Sequence, residues 1–226
     1  MHPMSSLTFK TIAAIGLFAC ALASQPARAD DASAMQADIA TVRGQWETLK
    51  FTMREGDRQT ALMNELGKQA DDLVRKYPGH AEALIWDGII TSERASMASA
   101  FSALGLAKQA RDLLQQAYDI DPAALDAGAT TSLAVLYYRV PGFPIGFGDN
   151  KKARHLLEQA VQIAPDSLDA EYFYGDFLYG EHEYGHALQV LEKALTIPAN
   201  ADRPLWDNNR RLVIKQLIGK VKAAGA

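Results

Sequence analysis

DAEYFYGDFLYGEHEYGHALQVLEKALTIP, residues 169–198, reads as two helices joined by a tight polar turn. In its second half Ala187, Leu191 and Ala194 share one face, and Pro198 ends the run. A proline stops a helix because its ring clashes with the preceding turn and it offers no N–H. Residues 181–183 form the turn. The same stretch holds His182-Glu183-Tyr184-Gly185-His186. That string fits H-E-x-x-H, in which two histidines one helical turn apart bind zinc and the glutamate activates the metal-bound water. The spacing of the rest of the chain decides between a hairpin and a metal site.

The landmarks recur upstream. Ala153, Leu157, Ala160 and Pro165 repeat the spacing of Ala110, Leu114, Ala117 and Pro122, and the set ending at Pro198 repeats it with the proline one residue early. Ten residues after Pro78, Pro122 and Pro165 stand Gly88, Ser132 and Gly175, each inside an apolar run. Small residues on facing helices allow close approach, so each block is a helical hairpin. The interval from Ala153 to Ala187 is 34 residues and that from Ala110 to Ala153 is 43, which marks an insertion.

Two segments account for the extra length. Residues 96–105 are rich in alanine and serine and extend their hairpin. Residues 140–150, VPGFPIGFGDN, carry two prolines and three glycines and are read as a non-helical insert. Phe143, Ile145 and Phe147 are expected to pack back onto the helices or meet a ligand, with Asp149 or Asn150 capping a helix from near Lys151. Before the repeats, Met35, Ile39, Val42, Trp46, Leu49 and Met53 step by fours and threes along one amphipathic helix. After them, residues 203–222 pair an apolar face with Arg210, Arg211, Lys215, Lys220 and Lys222, a helix suited to cap the stack.

This pattern resembles the tetratricopeptide repeat (TPR) family, whose period is 34 residues. The resemblance implies an all-α fold of antiparallel helical hairpins stacked as a short right-handed superhelix, with an N-terminal helix, a C-terminal capping helix and one domain over residues 30–226. It also implies a concave groove lined by the first helix of each hairpin, at positions one, four and five after the small landmark. Those positions are Ile89 and Glu93, then Leu133, Leu136 and Tyr137, then Asp176 and Tyr179, with Tyr172 three residues before Gly175. Phe143 and Phe147 of the insert would close one mouth. Tyrosine offers an apolar face with a hydroxyl that still hydrogen-bonds. The expected function is a non-catalytic protein binding a protein segment or a small apolar ligand in that groove.

YYRVPGFPIGFG (residues 137–148) and AEYFYGDFLY (residues 170–179) are also similar to secreted TPR proteins of the bacterial TRAP-transporter T-component type. That resemblance implies a periplasmic accessory holding a hydrophobic ligand beside a binding protein or transporter component, and able to oligomerise.

Composition bounds the rest. With 48% apolar and 22% charged residues the chain can build a packed core. Residues 1–29 combine Lys10, an apolar run over residues 11–23 and Ala27-Arg28-Ala29, the pattern of a cleaved export signal addressed to the periplasm. The apolar run is shorter than the roughly 20 residues that span a bilayer. Cys20, the only cysteine, lies within that signal, so the mature chain is expected to have no disulfide or thiolate ligand. A lipid anchor at Cys20 is the competing reading, disfavoured by the bulk of Phe18, and membrane anchoring is not expected. Cleavage would remove Lys10 and Arg28 and leave 21 basic against 27 acidic residues, a balance that argues against nucleic acid.

The zinc hydrolase is retained only as a third reading. A continuous helix would have to run through residues 181–186, where the hairpin register puts a turn and Gly185 weakens helix. Beyond His186 no further histidine follows as a third ligand. No catalytic residue, metal or cofactor is assigned.

Overall fold

Prolines, glycines and polar caps cut the chain into helices over residues 26–225, the part that the computed structural model describes. The expected export signal, residues 1–29, therefore lies outside the described residues as far as residue 25, Cys20 included. The elements are α1 (Pro26–Thr52), α2 (Asp57–Lys76), α3 (Ala81–Met97), α4 (Ala100–Ile120), α5 (Ala124–Arg139), α6 (Asn150–Ile163), α7 (Leu168–Gly180), α8 (Tyr184–Thr196) and α9 (Pro204–Ala224). Their boundaries have local causes. Gly56, at φ 147°, lets the chain turn into α2. The Asp149 carboxylate accepts the Lys151 and Lys152 amides at the start of α6, and Ser167 accepts the Ala170 amide at the start of α7. Pro204 opens α9, where its missing N–H costs nothing.

Consecutive helices pack as hairpins: α1 with α2, α3 with α4, α5 with α6 and α7 with α8. The glycine landmarks show how closely. A Cβ at Gly88 would stand 2.5 Å from Leu114 Cγ, and one at Gly175 would stand 2.5 Å from Leu191 Cγ. Both leucines are fully buried, so neither can yield without opening the core. Gly175→Val is therefore expected to cost about 1–3 kcal/mol through overpacking. Gly219, exposed on α9 with nothing near its Cβ position, should behave oppositely, and Gly219→Ala should stabilise by about 0.5–1 kcal/mol. Thermal unfolding of the two variants tests the pair; a Gly175→Val protein as stable as wild type would contradict the packing account.

The hairpins do not stack as an open row. The odd-numbered helices touch in succession, α1 with α3, α3 with α5, α5 with α7 and α7 with α9, and α9 then meets α1. Five helices thus close into a ring, with α2, α4, α6 and α8 outside it. Its closure is held by Glu47 of α1, which accepts from Arg203 Nε at 2.7 Å across 156 residues of sequence. Both partners are largely withdrawn from solvent. Arg203 also lies over the Trp206 ring at 4.3 Å.

One irregularity changes the register. Leu125, Asp126 and Ala127 at the start of α5 have φ of 50°, 56° and 61°. Left-handed conformation costs L-residues roughly 1–2 kcal/mol each. The turn is tied by Ala127 N donating to Ala123 O (3.1 Å) and Thr130 Oγ1 donating to Pro122 O (2.8 Å). From there on, α5 is rotated relative to a count made from Pro122.

Candidate functional site: the hollow inside the ring

The ring surrounds a hollow of about 750 Å³, partly open to solvent and lined by α1, α3, α5, α7, α9 and the segment between α8 and α9. Its wall is aromatic. Trp46 (α1), Trp86 (α3) and Trp206 (α9) all line it, and they are all the tryptophans of the chain. Trp46 and Trp86 meet edge to face at 5.7 Å, and Tyr172 and Phe173 of α7 add a tilted pair at 4.8 Å. Such faces offer large apolar area with few rotatable bonds.

Of the residues singled out by sequence, Ile89, Glu93, Leu136 and Tyr172 line this wall. The others stand elsewhere. Leu133 is fully buried in the core. Tyr137 points to the outer side, where its hydroxyl accepts from Lys152 Nζ at 2.7 Å and its ring meets Phe147 at 5.8 Å. Asp176 accepts from Tyr138 and Arg139 at 2.7 and 2.6 Å, and Tyr179 packs on Tyr184 at 5.8 Å. The physical reason on α5 is the left-handed turn. The wall residues Ile89, Ser92, Glu93 and Ser96 of α3 recur on α5 as Ser132, Val135, Leu136 and Arg139, the same spacing counted from Thr131 rather than Ser132. One position is about 100° of helix rotation, enough to carry Leu133 and Tyr137 off the groove wall.

The insert does not close the mouth. Asp149 N donates to Tyr137 O at 2.8 Å, which fixes the segment against the outer side of α5, and Phe147 lies beneath Arg111 at 4.7 Å. Phe143 (94% exposed) and Ile145 (71% exposed) project into solvent instead of packing back.

The wall's charges are mostly neutralised in place. Lys50 pairs with Glu93 at 2.8 Å, Arg139 with Asp176 at 2.6 Å, and Arg203 with Glu47. Arg210 Nε stands 2.6 Å from Asp169 Oδ1, a contact by distance that is not aligned as a hydrogen bond, and its guanidinium covers the Tyr172 ring at 4.4 Å. Burial, and then the Asp176 carboxylate, push the Tyr172 hydroxyl above the usual tyrosine range, so it stays protonated. The groove-lining residues that sequence reading missed include Trp46, Trp86, Trp206, Phe173, Arg43 and Arg203. A signal for the first three was present: each tryptophan falls in a different first or terminal helix.

The HEYGH string is split by the hairpin. α7 ends at Gly180, His182 sits in the turn at φ 63°, and His186 lies in the first turn of α8. His182 Nδ1 is 2.7 Å from the Tyr184 hydroxyl, and the His186 ring is edge-on to Tyr174 at 5.4 Å. Glu183 is engaged by Arg154, whose hydrogen bond holds its pKa below the usual glutamate value, the reverse of what a general base near neutrality requires. Among the described residues no group of three His, Cys, Asp or Glu side chains is placed to hold a metal.

Residues 145–207 match the tetratricopeptide repeat family model. The matched span contains the α7–α8 hairpin, where the 34-residue interval is kept. Among curated proteins no sequence matches this chain. In structure it is similar to a thermophilic TPR protein of Thermus thermophilus, at 17% identity over 86% of each chain with a TM-score of 0.60. It is also similar to MamA, from residue 41 to its end, of Desulfovibrio magneticus RS-1, at 15% identity over 84% of this chain and 96% of that one, with a TM-score of 0.45.

Proposed function

We propose that this chain, a solenoid of tetratricopeptide repeats, is an exported, non-catalytic binding protein that holds a small apolar ligand in the hollow of its ring. Stacked helical repeats serve mainly as concave binding surfaces. The observation that carries the reading is closure: α1 meets α9, so five helices surround a hollow of about 750 Å³. A volume of that order suits a compact ligand, whereas an open groove would suit an extended segment of a partner protein. The export address rests on residues 1–29 alone. A ligand-holding accessory to a periplasmic transporter is the second reading, and the enclosure of the site favours it over a peptide scaffold.

The test is titration of the purified protein with N-phenyl-1-naphthylamine, a neutral apolar dye that brightens when desolvated. One equivalent should bind, with a change in tryptophan emission because every tryptophan lines the wall. Ser132→Phe, which fills the hollow from a half-buried position on α5, should weaken binding at least about tenfold, the equivalent of about 1.4 kcal/mol. If the filled variant binds like wild type, the dye is elsewhere and the reading fails.

A further inference from the structure

We infer that the ligand of this hollow is a singly charged amphiphile, an apolar body lying against Trp46, Trp86 and Trp206 with a carboxylate at Arg43. The inference rests on the ligand reading above and adds its charge. Arg43, half-buried on α1, lines the wall, and among the described residues it is the one wall cation with no hydrogen bond or ion pair. The carboxylates nearest in effect are spoken for or distant. Glu47 receives Arg203, and Asp202 is felt at Arg43 through its field alone. Burial, and then the like charge of Arg203, hold the Arg43 pKa below the ordinary arginine value. Leaving a guanidinium partly desolvated without an acceptor is costly, and a hydrocarbon side chain at this position would have spared the cost.

A second observation has the same sign. The indole N–H groups of Trp46, Trp86 and Trp206 and the Thr131 hydroxyl are enclosed without a hydrogen-bond partner, and all four residues line the hollow. Each of the four side chains is more than nine-tenths buried. A buried donor without an acceptor costs about 1–3 kcal/mol, and an acceptor carried by a ligand recovers it where the side chain turns toward the hollow. The enclosed part of the wall therefore has surplus donors and one unpaired cation, Arg43, while the unpaired carboxylates among the lining residues, Asp126 and Asp166, are exposed to solvent. A purely hydrocarbon ligand would leave every one of them unmatched, and a cationic ligand could satisfy only the Thr131 hydroxyl, which accepts as well as donates. A dianion would fit less well than a monocarboxylate, because Arg43 is the one unpaired cation of the wall and the unpaired carboxylates Asp126 and Asp166 also line the hollow. A planar guanidinium matches a carboxylate with two parallel hydrogen bonds.

The test is calorimetric titration with a matched pair, 2-naphthylacetate and 2-naphthylacetamide, on wild type, Arg43→Gln and Arg43→Lys, with thermal melts to show that each variant folds. Wild type should prefer the acid about ten- to a hundredfold, the worth of one charge-assisted hydrogen bond pair. The ratio should collapse toward one in Arg43→Gln and be largely kept in Arg43→Lys. Equal affinities for acid and amide in wild type, or a ratio undiminished in Arg43→Gln, overturn the charge assignment while dye binding still supports the hollow as a ligand site. If neither compound nor the neutral dye binds, the ligand reading itself falls and takes this inference with it.

Discussion

Arg203→Met should destabilise the protein by about 3 kcal/mol, because it leaves the Glu47 carboxylate buried without its cation. Nearly all of Glu47 is withdrawn from solvent, and its neighbour Arg43 attracts it without forming a hydrogen bond, so compensation is partial. The substitution also removes the guanidinium from the Trp206 and Trp86 rings. For a chain of this length about 3 kcal/mol corresponds to roughly 6–12 °C in melting temperature. The double variant Glu47→Met with Arg203→Met should recover most of the loss, since a buried pair exchanged for apolar groups of like size is often nearly neutral. Hydrogen exchange adds a spatial readout: in Arg203→Met protection should fall first in α1 and α9, the two helices that close the ring. Unchanged melting and unchanged protection of those helices would show that the ring closes without this pair.

Asp87→Asn should have the opposite sign. Asp87, on α3, is 2% exposed, and burial together with the charge of Asp71 raises its pKa to about 6. The unfolded value is near 3.9. A carboxyl whose folded pKa is raised binds its proton more tightly in the native state. Its ionisation then costs nothing below about pH 4, costs progressively more up to about pH 6, and imposes its full penalty above that. At about 1.4 kcal/mol per pKa unit the penalty at neutral pH is on the order of 3 kcal/mol. The hydrogen bond from the Thr91 hydroxyl at 3.3 Å offsets little of it. Asp87→Asn removes the charge and keeps the shape, so it should stabilise at pH 7 by about 2 kcal/mol and be neutral near pH 4. Other carboxylates move in the opposite direction: Asp38, Glu183 and Asp207 are held low and lose stability in acid. The diagnostic quantity is therefore the variant-minus-wild-type stability across pH 4–7. A flat difference curve would refute the assignment.

The helical hairpins were legible because their causes are local. Pro78, Pro122 and Pro165 end helices wherever they fall, and Gly88 and Gly175 sit where Leu114 and Leu191 leave no room for a Cβ. The same logic placed a turn inside HEYGH, where α7 stops at Gly180. The groove was half legible. Ile89, Glu93, Leu136 and Tyr172 could be assigned from the repeat register, but Leu133 and Tyr137 could not be excluded, because no residue around Asp126 announces three left-handed dihedrals. Ala127 is an ordinary helix former held in that conformation by its surroundings, including the Thr130 bond to Pro122.

By itself the sequence determined the all-helical class, the hairpin unit and the close helix–helix contacts, since each depends on residues within a few turns of one another. Only the tertiary structure decided that the stack closes on itself. Closure depends on the sum of small rotations between successive hairpins, which no local pattern encodes, and on a contact between Glu47 and Arg203 that lies 156 residues apart. That sum brings Trp46, Trp86 and Trp206 from three distant stretches into one wall and leaves Arg43 beside them.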